Sequence, residues 1–173
     1  MPHHHATDDF DDFVRNRSFK LLRSAYLLTG DQQLAEDLVQ DALVRTFRSW
    51  NRLQRTENAE AYTRKVMYHL QVAWWRRDRV KEYSDEVIDD RASTHDPYDD
   101  VNRRMMLRKA LTRLAPKQRA VIVLRFYEDL DVGQTAEILG CSQGTVKSQT
   151  AKAIKNLRVH SPELAQLAER SFA

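Results

Sequence analysis

The sequence predicts an all-α protein built as two small helical domains joined by an acidic linker. Glycine and proline, which punctuate turns, number four each in 173 residues, well under usual shares of about 7% and 5%. Neither occurs from residue 31 to residue 96, a span that a strand-rich chain would break repeatedly. Charge is divided unevenly. Residues 1–82 hold 14 Lys/Arg against 12 Asp/Glu, residues 83–100 hold one against seven, and residues 101–173 hold 13 against six. The overall +3 therefore conceals a basic C-terminal domain (102–173) and a mixed N-terminal one (1–82), with acidic residues 83–101 between them.

Each element has its own signal. Phe10, Phe13, Val14, Phe19, Leu22 and Tyr26 repeat at helical spacing and predict a first helix over 10–28, stopped by Gly30. Asp31 suits the cap of a second. In it Leu34, Leu38, Ala42, Leu43, Phe47 and Trp50 line the inner face, and Gln33, Glu36, Asp37, Gln40 and Asp41 the outer one. Residues 51–58 are polar and predict a loop. A third helix over 59–81 directs Ala61, Tyr62, Val66, Leu70 and Ala73 inward, completing a three-helix bundle. Residues 83–100 contain Pro97 and no helical period; their acids either keep a solvated linker extended or imitate a nucleic-acid backbone. Beyond them Met105, Met106, Leu107, Ala110, Leu111 and Leu114 predict a helix ended by Pro116, and another follows over 117–127. The tail, 161–173, reads as a capping helix or as a degradation tag.

Residues 130–158 carry the sharpest pattern. A short helix over 132–139 precedes Gly140, a residue suited to a left-handed turn, and Ser142 can cap a longer helix over 143–158. Ala136 is small where two helices must cross, and Val146 faces inward with Ile138, Leu139 and Ile154. These offsets define a tight helix-turn-helix. The outer face of the second helix bears Gln143, Thr145, Lys147, Ser148, Gln149, Lys152 and Lys155, with no acid from 142 to 158, as a helix entering a DNA major groove requires. Upstream, residues 62–81 interleave six Lys/Arg with Tyr62, Tyr68, Trp74 and Trp75, a platform for unpaired bases and phosphates. Adjacent tryptophans on a helix point about 100° apart, so at most one sits at the centre of a core.

Other classes are excluded by composition. The longest apolar run, residues 120–124, has five residues, far short of the roughly 20 that span a membrane. The first 12 residues carry four aspartates and no apolar segment, so no secretory leader is expected and the protein reads as cytoplasmic. The single cysteine, Cys141, forms no internal disulfide and no cysteine-rich zinc site. His3 to His5 is the one histidine cluster, and its terminal place argues against a built metal site. Carboxylates are scattered over outer faces and the linker rather than gathered, so no metal, cofactor or enzymatic activity is expected.

Taken together, residues 35–50 (AEDLVQDALVRTFRSW), 60–79 (EAYTRKVMYHLQVAWWRRDR) and 114–158 resemble regions 2.2, 2.3–2.4 and 4 of the extracytoplasmic-function (ECF) sigma factors. Within that family the LLRSAYLLTGD opening and paired tryptophans are most similar to the actinobacterial SigE-like group. The resemblance implies that Asp37, Gln40 and Asp41 dock on the β′ clamp coiled coil of core RNA polymerase, and that region 4 meets the β flap. It implies that Asn58, Lys65, His69, Trp74, Trp75, Arg76, Arg77 and Arg79 read and open the −10 element of promoter DNA, with residues 51–58 walling a pocket for a flipped base. Gln143, Thr145, Lys147, Ser148, Gln149 and Lys152 would read the −35 element, and the linker would run through the polymerase cleft. The family also admits an anti-sigma factor as a partner. Two positions depart from its pattern. His69 stands where Asn is frequent, and Gln149 stands where Arg is usual, replacing a phosphate clamp by a group able to read a base edge.

Two rival readings share part of the pattern. A stand-alone helix-turn-helix regulator explains residues 130–158 but leaves 60–81 without a role. A DNA-acting enzyme such as a recombinase needs gathered metal-binding acids or a positioned nucleophile, and neither is legible.

Overall fold

Eight α-helices make up most of the computed structural model, which describes residues 3–53, 56–82 and 99–172, with side chains over 7–53, 58–77 and 105–170. They are α1 (His3–Thr29), α2 (Gln32–Arg48), α3 (Thr56–Glu82), α4 (Asp99–Thr112), α5 (Pro116–Ile122), α6 (Val132–Leu139), α7 (Gln143–His160) and α8 (Pro162–Phe172). No strand occurs among the described residues. The acidic segment 83–98 lies outside them.

The turn chemistry follows the sequence. Gly30 adopts φ 71 and ends α1, and a Cβ there would meet Thr112 of α4 at 2.6 Å. Asp31 then caps α2 by accepting the Leu34 N–H at 2.9 Å. Pro116 opens α5, where its missing N–H costs nothing. A capping box starts α6: Asp131 accepts from the Gln134 backbone at 2.8 Å and the Gln134 side chain accepts from the Asp131 backbone at 3.0 Å. Gly140 sits at φ 64, ψ 38, and Ser142 caps α7 at the Thr145 N–H, 3.1 Å.

The buried faces differ from the predicted ones in instructive ways. On α2, Leu34 and Phe47 were expected inside but are 45% and 50% exposed. Ala35, Leu38, Val39, Ala42 and Thr46 are buried instead. On α3, Ala61 and Ala73 are exposed and Tyr62 and Val66 half-buried; the buried set is Ala59, Thr63, Met67, Tyr68, Leu70 and Gln71. The cause is a polar contact in the α2–α3 crossing. The Thr46 and Thr63 hydroxyls lie 2.7 Å apart, each within reach of the carbonyl one turn back. Two threonines thus occupy core positions; the buried face of α2 is an arc narrow enough to leave Leu34 and Phe47 outside on either side, and that of α3 is turned away from Ala61 and Ala73. Phe19, expected on the α1 stripe, is 72% exposed. The loop expected over 51–58 is shorter: Trp50–Arg52 forms a 3-10 turn and α3 begins at Thr56.

α5 runs into a π turn, Val123–Tyr127, after which Asp129 takes φ 54. α8 packs on α7 with Ala165 and Ala168 buried, so the tail is a helix that caps this half. Val146 closes a small cluster with Val121 and Ala136, while Ile138 and Ile154, expected beside it, join the main core. That main core is continuous across both halves of the chain, from Leu21, Leu38 and Met67 to Leu124, Ile154 and Leu157.

Candidate nucleic-acid and polymerase interface

On α7 the predicted reading residues divide into two groups. At about 100° per residue, Thr145, Ser148, Gln149 and Lys152 fall in one arc of about 100°, while Gln143 and Lys147 lie on the other flank. All are exposed except Gln149, which is half-buried. The first turn carries no acid, so the positive end of the helix dipole is unopposed there.

On α3, Asn58, Lys65, His69 and Arg76 fall within about 40° of one another and are exposed. Arg77 is exposed on a neighbouring face; the Arg79 side chain lies outside the described residues. Neither tryptophan is fully buried: Trp74 packs on the main core, and Trp75 is half-buried. The helix therefore offers a cationic stripe with an aromatic flank, rather than all eight expected residues on one surface.

On α2, Asp37, Gln40 and Asp41 are exposed, and Gln33 donates to Asp37 at 3.1 Å. Beside Gln40 runs a groove of about 800 Å³ between α1 and α2, lined by Phe10, Val14, Leu22, Leu43, Val44 and Phe47 among others. Of the expected inner face of α2, Leu43 and Phe47 lie in this groove. The Phe10 ring supports it, 4.9 Å from Phe47 and 5.1 Å from Trp50.

One group that the sequence did not signal is Glu128. It follows the π turn, and its side chain is only 3% exposed. Arg64 of α3 pairs with it at 2.5 Å, Ser24 of α1 donates to it at 2.7 Å, and Tyr68 of α3 donates at 3.2 Å. Burial, then the adjacent Glu128 charge, raises the Tyr68 phenol well above its ordinary value. Arg64 also meets Glu60, which binds Arg17 and Lys20. Arg119 of α5 donates to the carbonyls of Leu28, Leu111, Thr112 and Leu114, so α5 is fastened to the end of α1; burial lowers its pKa from the usual guanidinium value. Nothing local marks Glu128, because its partners lie 60 and 104 positions away for Tyr68 and Ser24.

Among the described residues no His, Cys, Asp or Glu cluster could hold a metal ion, and no helix is long and apolar enough to cross a membrane. The fold presents two cationic helix faces, on α3 and α7, and a third face on α2, mixed polar and apolar. Comparison with known proteins gives the family. Residues 13–80 match Sigma-70 region 2, and residues 104–157 match Sigma-70, region 4. The chain is 42% identical over 150 residues to the RNA polymerase sigma-E factor of Streptomyces avermitilis, covering 87% of this chain and 83% of that one. It is 32% identical to the ECF RNA polymerase sigma factor SigE of Mycolicibacterium smegmatis, over 94% of this chain and 67% of that one. The sigma factor RpoE of Bartonella quintana, solved in complex with the anti-sigma factor NepR, superposes with a TM-score of 0.71 at 26% identity, covering 90% of this chain and 98% of that one. The chain belongs to the ECF group of RNA polymerase sigma factors, which are transcription initiation factors.

Proposed function

We propose that this chain joins core RNA polymerase in the cytoplasm and directs it to promoters by binding alone, without a catalytic step of its own. Asp37, Gln40 and Asp41 contact the β′ clamp, and the neighbouring α1–α2 groove receives apolar side chains of the same partner. The α7 arc reads the −35 element, with region 4 seated on the β flap. The α3 stripe, with Trp74, Trp75, Arg77 and Arg79, holds the opened −10 strand. Flipping a base costs a few kcal/mol, which stacking on aromatic side chains offsets at about 1–3 kcal/mol per base. By likeness to the RpoE–NepR pair, an anti-sigma factor is a further partner.

The observation that most supports this reading is the presence of three distinct faces on one chain, two cationic and one acidic beside an apolar groove. A stand-alone regulator needs only the first. Run-off transcription with purified core polymerase and a pool of promoter templates is the test. Specific transcripts that depend on the added chain are expected, and a gel shift should show promoter binding only with core present. Equal initiation with and without the chain sinks the reading.

A further inference from the structure

One cavity differs from the other recesses of the surface in its charge. It encloses about 280 Å³ between α3, α5 and the helix-turn-helix. The α1–α2 groove carries Asp11 and Glu36, and the recess beside the start of α6 carries Asp131 and Glu137; no carboxylate lines this one. Its floor is apolar. Tyr68, Val121 and Val146 are fully buried there, with Val72 and Leu139 half-buried beside them. Polar groups gather at its mouth: His69 and Arg76 of α3 and Lys117 of α5 are exposed, and Gln149 of α7 is half-buried. Among the described residues none of these four side chains has a hydrogen-bonding or ion-pair partner. The turn before α7 closes one side, since a Cβ on Gly140 would lie 3.6 Å from the His69 ring. Each group alone is an ordinary solvated side chain. Together they set two permanent cations, an imidazole and an amide around an apolar recess, the composition of a small-molecule site.

We infer that this cavity binds a compact organic phosphate, with its apolar body on the Tyr68–Val121–Val146 floor and its head group between Arg76 and Lys117. His69 and Gln149 supply further hydrogen bonds. Size sets the body. A water takes about 30 Å³ of liquid, so the cavity holds roughly nine atoms of that size, one small ring and part of its head group, but not a nucleotide. Charge sets the head. A phosphate monoester carries a charge of about −1.5 to −2 at neutral pH, which matches two cations, whereas a carboxylate leaves one of them unmatched. With no acid on the lining, nothing internal competes for Arg76 and Lys117. His69, Arg76 and Gln149 are also assigned above to promoter DNA, so ligand and DNA exclude one another. That consequence rests on the proposed function; binding itself does not.

Calorimetric titration of the free full-length chain with phenyl phosphate tests the site. Phenyl phosphate should bind about tenfold or more tightly than inorganic phosphate, because burial of the ring adds to the attraction of charge. It should also bind more tightly than phenol, which lacks the head. Ala73→Leu fills the cavity from an exposed position on α3 and should abolish the advantage of the ring. Lys117→Gln should weaken phenyl phosphate about fivefold, as loss of one exposed charge pair does. Circular dichroism of both variants should match wild type; should Ala73→Leu fail to fold, Lys117→Gln decides. Phenyl phosphate should also inhibit run-off transcription with core polymerase. Lys117 is assigned to neither DNA nor polymerase, so Lys117→Gln should keep basal transcription and raise the inhibitory concentration by the same factor. Phenyl phosphate that binds no tighter than inorganic phosphate overturns the proposal, as does binding that both folded variants leave unchanged. Tight binding with undiminished transcription overturns the exclusion of DNA. A chain that stimulates no polymerase at all fails the sigma-factor reading, and calorimetry then decides the site alone.

Discussion

On the function proposed above, single side chains on α7 should separate contacts that position DNA from contacts that read it. Lys152 stands in the arc with Thr145, Ser148 and Gln149, whereas Lys147 stands on the other flank, so each can reach only its own side of a groove. Each lysine that meets a phosphate releases counterions. Lys147→Ala and Lys152→Ala should each lower the slope of log affinity against log salt by about 0.9, across all promoter sequences alike. Gln149→Ala should leave the slope unchanged and weaken only templates bearing the base it reads, by about 1–3 kcal/mol. Fluorescence titration of holoenzyme on promoter DNA at several salt concentrations measures both, and an unchanged lysine slope removes that lysine from the DNA. These residues were legible in the sequence because the signals that place them are local: the Asp131 and Ser142 caps, the left-handed Gly140 and an acid-free helix. The half-burial of Gln149 was not, since it depends on a helix far upstream in the chain.

At the scale of the element, α2 shows where pattern reading fails and why the failure bears on function. A helical stripe assigns Leu34 and Phe47 to the core because apolar residues are presumed to turn inward, yet alanine and threonine fill the close crossings with α1 and α3. Ala35, Ala42 and Thr46 are all at 0% exposure. Phe47, so displaced, then lines the groove beside Gln40 with Leu43 and Val44. Val44, 46% exposed in that groove, offers a clean probe. Val44→Ser should leave thermal stability within about 0.5 kcal/mol of wild type, as surface changes do, and weaken core-polymerase binding several-fold. Gln40→Ala with Asp41→Ala should abolish co-purification with core while circular dichroism stays unchanged. Retained association would place the docking face elsewhere. Helix order and most boundaries needed no tertiary information; the identity of each buried face did, because hydroxyl pairs such as Thr46–Thr63 are invisible to hydropathy.

At the scale of the molecule, the junction between the halves is governed by groups with no sequence signature, and Tyr68 makes it measurable. Its hydroxyl is fully buried and donates to Glu128, and its pKa is raised by that burial and that charge. The folded state therefore holds Tyr68 neutral, while the unfolded chain ionises it near pH 10. The contribution of this hydroxyl is fully present below about pH 10 and is lost as pH climbs from there toward the raised folded value. Below that window a hydrogen bond to a charged acceptor is worth about 1.5–3 kcal/mol, so Tyr68→Phe should lower the unfolding free energy by that amount at pH 8. Above pH 10 the wild type alone gains an ionised unfolded form, and the gap between the two proteins should shrink by about 1.4 kcal/mol per pH unit. Denaturant titrations of both proteins from pH 8 to 11 isolate the effect, because the two proteins differ only at this hydroxyl. A gap that stays constant across that range would mean that Tyr68 is not held neutral against Glu128, and the two halves would then meet by apolar contact without this polar lock.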